Sequence, residues 1–315
     1  MSNLMSGKML AADIKAGVKK RVESLGLMGI EVGLALMQVG GTASDEQYLR
    51  TTVSVSKTVG IMTYEYRLPE TASLNEIINT INKVNADERI NGLLVLFPIA
   101  RRINPRRVVN AILPEKDVDG LGSISVGMFA AEESMFQIFG KDGVASADGA
   151  SLASACAPHG FLPCTPFGVI RLLEYYGVKI KGSNAVVIGK SLAVGKPLAL
   201  MLLAKEATVT ICHKSSGDLS AHVRNADIVC SATGVAGLIK GDMIKDGAVV
   251  VDIGINIMPD GSFAGDVDFG SVAPKASFIT PVPGGVGPVT IATLLENTLR
   301  SAQNSVLLKT PLILP

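Results

Sequence analysis

The chain has 315 residues, with 29 Lys and Arg against 28 Asp and Glu and a formal net charge of +1. That balance argues against a nucleic acid or an anionic membrane surface as partner of the whole chain, and 48% hydrophobic against 18% charged residues argues against disorder. The length is about twice that of an ordinary domain, so two domains around two cores are expected.

The opening "MSNLMSGKMLAADIKAG" lacks the apolar core of a signal peptide, and no run approaches the roughly 18 apolar residues of a membrane span. A soluble, cytoplasmic protein is expected. Leu10, Ile14, Val18 and Val22 form the apolar stripe of a first helix. "VGLALMQV" (32–39) reads as a strand buried on both faces, followed by a helix over 44–59 and a strand at 61–68. Ser73 and Glu76 form a capping-box pattern ahead of Leu74, Ile77, Ile81 and Val84, and "NGLLVLFP" (91–98) closes a β-α-β-α-β segment.

A stretch rich in Ala, Ser and Gly between Met128 and Phe161 reads as a linker or long surface loop. Beyond it "CTPFGVIRLLEYYG" starts a helix, with Thr165 expected as N-cap and Pro166 in the first turn. Strands are expected at 184–188, 207–212, 226–230 and 247–252, and a last helix carries Ile291, Leu294, Leu295 and Leu299 on one face. Alternating strands and helices imply parallel sheets, hence an α/β fold of two domains with a Rossmann-type C-terminal half. The apolar tail "VLLKTPLILP" is too short to span a membrane and is expected to dock on a neighbouring surface. Cys156, Cys164, Cys212 and Cys230 lack disulfide or CxxC spacing and are expected as free thiols; His159, His213 and His222 are not spaced as metal ligands.

The segment "VVIGKSLAVGKP" (186–197) raises three readings. An ATP-binding P-loop needs a glycine where Asn184 stands and a hydroxyl where Pro197 stands, so that reading falls. A dinucleotide turn and an ordinary strand-to-helix turn both remain: the spacing is Gly-x-Ser-x-x-x-Gly, and N–H groups opening the next helix can hold an anion. The following strand ends in His213, Lys214, Ser215 and Ser216, where an NAD site would carry an acid. A cation and hydroxyls suit a 2′-phosphate, so NADP is favoured over NAD.

"EQYLRTT", "GLLVLFP", "PEKDVDG" (114–120), "LPCTPFG" (162–168), "VVDIGIN" (250–256) and "TPVPGGVGPVTIATLLENTL" (280–299) stand with that segment in one order. Together they resemble the bifunctional 5,10-methylenetetrahydrofolate dehydrogenase/cyclohydrolase family over nearly the whole chain. The resemblance implies a folate cleft between two domains, an NADP or NAD cofactor and a homodimer. It implies a folate-binding domain over 1–150, completed by a returning helix at 288–303, and a cofactor domain over 151–287. Tyr48 matches the tyrosine that packs on the folate ring system, Asp119 the carboxylate that hydrogen-bonds the pterin, and Pro283, Gly284, Gly285, Val286 and Gly287 the loop lining the folate site. Gly189, Lys190, Ser191, Gly195, His213, Lys214, Ser215 and Ile255 fall on or beside cofactor positions.

Two departures bear on chemistry. The essential lysine four residues after the tyrosine is Thr52, and the glutamine that pairs with it is Leu96. Lys57 does not replace it, since five residues turn a helix by about 500° and leave it roughly 140° around from Thr52. Tyr48 and Thr52, four apart, are expected to look into one cleft. Asp45 stands where the family usually has serine. The expectation is an NADP-dependent dehydrogenase with weak or absent cyclohydrolase activity. A non-catalytic folate- or nucleotide-binding paralogue, a dehydrogenase of a modified pterin and an unrelated Rossmann oxidoreductase are the alternatives. Arg101, Arg102, Arg106 and Arg107 read as a solvated basic loop, or as an attractor for the acidic tail of a folate.

Overall fold

A computed structural model describes residues 3–100, 102–131 and 160–309. The chain divides into two compact units, Ile14–Leu162 with Leu294–Pro315, and Met1–Asp13 with Pro163–Thr293. The boundaries fall inside the first and last long helices, α1 (Lys8–Leu27) and α10 (Val286–Lys309). The first residues therefore count with the C-terminal unit and not with an N-terminal domain of 1–150.

In the N-terminal unit, β2 (Gly33–Val39) lies between β3 (Met62–Leu68) and β4 (Gly92–Val95), all parallel. Every residue of β2 and β4 is buried, as a parallel strand covered on both faces requires. Helices α2 (Ala43–Thr58) and α3 (Leu74–Ala86) are the crossovers. Ser73 and Glu76 form the expected capping box on α3. Ile77, Ile81 and Val84 pack from α3 into the core made with Ala35, Met37, Leu93 and Val95. The expected strand 91–98 stops at Val95: Leu96 still donates to the Met37 carbonyl, but the chain then turns through a cis Phe97–Pro98 bond. The unit continues through α4 (Pro105–Val109) and α5 (Ser123–Ala131). Cys156 and most of the expected linker lie outside the described residues.

The C-terminal unit is built on a six-stranded parallel sheet in the order β1-β11-β8-β7-β5-β6, where β1 is Asn3–Leu4, β5 Asn184–Ile188, β6 Thr208–Cys212, β7 Ile228–Ser231, β8 Val249–Asp252 and β11 Phe278–Ile279. Helices α6 (Cys164–Tyr175), α7 (Gly195–Ala204), α8 (Leu219–Val223) and α9 (Phe269–Val272) join them, and β9 (Asn256–Ile257) with β10 (Phe263–Ala264) forms an antiparallel hairpin. Thr165 is not the N-cap of α6; Pro163 is, with no side-chain bond, because the helix starts two residues earlier. Thr165 instead accepts a hydrogen bond from Thr290 Oγ1 at 3.3 Å. The chain runs from β5 to β6 on one side and then crosses to β7 on the other, so the strand order reverses between β5 and β7.

Candidate functional site

That reversal locates a cradle. Ligands of open α/β sheets bind beyond the carboxyl ends of the strands at the switch point, here the turn after Ile188 and the loop after Ser231. Gly189 has φ +120, a conformation suited to glycine, and a Cβ there would strike the Ala232 carbonyl across the switch point. Gly195, the first residue of α7, passes so close that its Cβ would strike the Gly189 carbonyl. Ser191 Oγ accepts from the Val194 and Gly195 amides at 3.1 and 3.3 Å, which holds the turn onto the helix start. A backbone cradle with no room for Cβ atoms, opening a ten-residue helix, fits the diphosphate of a dinucleotide. Lys190 and Lys214 are exposed, with no ion pair among the described residues. The turn after β6 is held by His213 N–H donating to Ser216 Oγ at 2.9 Å and Ser215 N–H donating to His213 Nδ1 at 3.2 Å. This arrangement presents Lys214 and Ser215 outward. Ile255 is 53% exposed, directly after the buried Gly254.

The glycine-rich loop belongs to this same unit. Gly284 has φ +103, and its carbonyl accepts from the Gly7 amide at 3.0 Å and Ser6 Oγ at 3.5 Å, so the segment after β1 holds the loop. Val286 and Gly287, expected in the loop, form the first turn of α10.

In the N-terminal unit the "KDVDG" stretch sorts into scaffold and candidate. Lys116 Nζ donates to the carbonyls of Val84, Asn85 and Asp87 at 2.8, 2.9 and 2.8 Å, capping the end of α3 with three bonds. Burial pulls its pKa down. Asp117 is 2% exposed and accepts from Ser125 Oγ (2.6 Å) and the Gly122 and Leu121 amides (2.9 and 3.2 Å). Loss of hydration on burial outweighs these bonds and pushes its pKa up to about 6. Asp119 stays partly open to solvent ahead of Gly120, whose φ is +68. From α10, Asn297 Nδ2 donates to the Val118 carbonyl (2.8 Å) and Ser301 Oγ to those of Asn91 and Glu115 (2.6 Å each). The returning helix thus fastens this loop beside β4.

Tyr48 on α2 is half-buried. Thr52 is 0% exposed and its hydroxyl donates to the Tyr48 carbonyl at 2.9 Å, so the expectation that both side chains open on one cleft fails for Thr52. Leu96 is 6% exposed. Asp45 accepts from the Thr42 amide and hydroxyl at 2.7 and 2.8 Å and completes a capping box, an ordinary structural role. Of the basic loop, Arg102 donates to the carbonyls of Glu70 and Ala72; Arg101 lies outside the described residues.

The sequence reading missed two buried carboxylates at the carboxyl edge of the C-terminal sheet. Asp252 ends β8 and accepts from the amides of Gly254 (3.1 Å), Asp266 (2.9 Å) and Val267 (2.9 Å). Asp266 is 0% exposed and accepts from Ser231 Oγ (3.1 Å), the Thr233 and Val235 amides and Asn256 Nδ2 (3.2 Å). Burial first, and then the neighbouring Asp266 charge, raise the Asp252 pKa to about 6. The two aspartates, one two residues before a glycine in "DIG" and one directly after a glycine in "GDV", were the available signal.

Residues 5–119 match the catalytic domain of tetrahydrofolate dehydrogenase/cyclohydrolase, and residues 163–306 match its NAD(P)-binding domain. The bifunctional protein FolD of Wolinella succinogenes is 43% identical over 301 residues, covering 95% of this chain and 96% of its own. The crystal structure of the bifunctional enzyme FolD from Campylobacter jejuni superposes with a TM-score of 0.84 at 40% identity, over 97% of this chain and 100% of its own. The methylenetetrahydrofolate dehydrogenase-cyclohydrolase of Trypanosoma brucei, complexed with NADP and an inhibitor, gives 0.83 at 30% identity, over 97% and 98%. With both domains matched and relatives this similar over almost the whole length, the chain belongs to the tetrahydrofolate dehydrogenase/cyclohydrolase family.

Proposed function

We propose that the protein is an NADP-dependent dehydrogenase that oxidises 5,10-methylenetetrahydrofolate to 5,10-methenyltetrahydrofolate, with cyclohydrolase activity weak or absent. The observation that carries this reading is a contrast: the cofactor cradle is sterically complete at Gly189, Ser191 and Gly195, whereas position 52 holds a sealed, non-titrating threonine and position 96 a buried, apolar leucine. The bound dinucleotide supplies a hydride acceptor, and the residues described here supply placement.

Tyr48 offers a ring for the pterin to pack on, Asp119 a carboxylate for its N–H groups, and the loop from Pro283 to Gly285, with Val286 and Gly287 opening α10, a wall of mostly small residues. Lys190 and Lys214 meet the charge of the phosphates, and Lys214 with Ser215 favours a 2′-phosphate over a free ribose hydroxyl. Removing a hydride from an N–CH2–N bridge leaves a cation shared by two nitrogens and moves no proton, so alignment dominates that step. Adding water to the cation and opening the ring moves protons, which a threonine hydroxyl does not relay near neutrality; loss of a general acid–base group removes about 10²–10⁴ in rate. The relatives named bifunctional set the opposing expectation. A homodimer completes the proposal.

The test runs both reactions on one preparation. Reduced cofactor should form from methylenetetrahydrofolate and NADP while the methenyl product persists. Rapid enzyme-dependent hydrolysis of added methenyl compound overturns the cyclohydrolase half. Binding of NADP and folate without turnover selects the non-catalytic paralogue.

A further inference from the structure

The carboxylate pair at the sheet edge has no role in the chemistry above, and its wiring is directional. The Asp266 carboxylate accepts from four donors. They come from the end of β7 (Ser231), from the loop that follows it (Thr233 and Val235), and from β9 (Asn256), next to Ile255. Ala232, inside the gathered loop, is the residue whose carbonyl faces Gly189 and whose amide donates to the Ile188 carbonyl at 2.8 Å. The loop is thus the second lip of the cradle, opposite the turn at Gly189.

Asp252 fixes Asp266 in turn, by accepting from the Asp266 and Val267 amides while its own amide donates to Thr280 Oγ1 at 2.7 Å. The two segments interlock through glycines. A Cβ at Gly254 would fall on the Asp266 carboxylate, and one at Gly265 would fall on that of Asp252.

We propose that Asp266 is a positioning residue for the dinucleotide: by gathering the Thr233 and Val235 amides and Asn256 it holds the lip after β7 and the strand entry beside Ile255 in the shape that closes on the cofactor. It touches no reacting atom. The inference rests on the cofactor reading of the cradle given above. A carboxylate suits the place because every neighbour is a donor. In Asp266→Asn one oxygen becomes an amide group, and two donors lose their acceptor whichever oxygen is replaced.

The experiment measures the Kd of NADPH by its fluorescence and the Kd of tetrahydrofolate by calorimetry, for the wild-type protein and Asp266→Asn, with folding checked by circular dichroism. NADPH binding should weaken by roughly tenfold or more, the scale of a lost charge-assisted hydrogen bond, while the tetrahydrofolate Kd stays unchanged. Unchanged NADPH binding in the variant overturns the proposal, and so does equal weakening of both ligands, which marks a general loss of structure. If Asp266→Asn does not fold, Ser231→Ala is read instead: it removes one donor, keeps the charge, and should weaken NADPH alone by about threefold; no weakening overturns the proposal. A wild-type protein that binds no NADPH sinks the cofactor reading itself, an outcome distinct from a variant that binds normally.

Discussion

Thr52→Lys combined with Leu96→Gln puts back the pair whose absence defines the proposed activity, and the structure sets what should follow. Position 52 is 0% exposed and position 96 is 6% exposed, so an ammonium placed there loses most of its hydration. Desolvation costs several kcal/mol for an unpaired charge and moves a lysine pKa down toward neutrality, where proton transfer is efficient. The glutamine carbonyl at 96 supplies an acceptor, so the double variant should fold better than Thr52→Lys alone. Inserting the longer side chain into a filled site costs about 1–3 kcal/mol, which should lower the midpoint of chemical unfolding. Hydrolysis of methenyltetrahydrofolate, followed by its absorbance without cofactor, should rise by about 10²-fold or more, equivalent to about 2.7 kcal/mol of barrier. Thr52→Met with Leu96→Gln matches the size without the titrating group and should show no gain; NADPH binding, carried by the other unit, reports that each variant is folded. A wild-type protein that hydrolyses the methenyl compound as fast as it forms it refutes the reasoning. So does a folded double variant no faster than its methionine control.

Lys214→Ala should reduce kcat/KM for NADP by roughly tenfold and leave NAD nearly unaffected, the size of one charge-assisted bond; equal loss with both cofactors would remove Lys214 from the 2′-phosphate. Thr293→Val should raise the unfolding midpoint by about 1 kcal/mol of stability, because the Thr293 hydroxyl is buried with no hydrogen-bond partner among the described residues; a lower midpoint contradicts that. Asp117 and Asp252, both raised to about 6, predict a pH dependence of stability. The folded protein keeps protons that the unfolded chain releases near pH 4, so this contribution is fully present below about pH 4 and lost as pH rises through about 6, up to about 3 kcal/mol for each group. Unfolding midpoints of Asp117→Asn should lose their share of that slope, and wild-type stability rising with pH across the window would refute it.

The parallel strands were legible because burial on both faces writes continuous apolar runs: "VGLALMQV", "NAVVI" and "AVVVD" became β2, β5 and β8. The box at Ser73 and Glu76 was legible because its chemistry is local. The box at Thr42 and Asp45 has the same local chemistry and is equally legible, although Asp45 stands out first as a departure from the family's serine. Strand β1 was not legible, since two residues carry no periodicity and their partner, Phe278–Ile279, is more than 270 positions away. Nor does a sequence show that Asp252 and Asp266 are buried, because acids at strand ends read as solvent-facing. The spacing argument for Thr52 put it on the face of Tyr48 but not at the surface: a helix face does not say how deep a side chain sits.

The departures from the family pattern stand on one side of the chain. Thr52, Leu96 and Asp45 all lie in the N-terminal unit, and Asp45 is accounted for by the capping box. Across the C-terminal unit the cradle is closed by contacts that tolerate no added atom: Gly189 on Ala232, Gly195 on Gly189, Gly254 on Asp266 and Gly265 on Asp252. Each of these would fail with a single methyl group, whereas Thr52 and Leu96 are buried without any such clash and differ from the family pattern in lacking a titrating and a polar group. A protein that merely held a folate would place no demand on a dinucleotide turn of that tightness. The proposed reading, a step governed by alignment kept and a step governed by acid–base chemistry given up, is the one that this asymmetry would follow from.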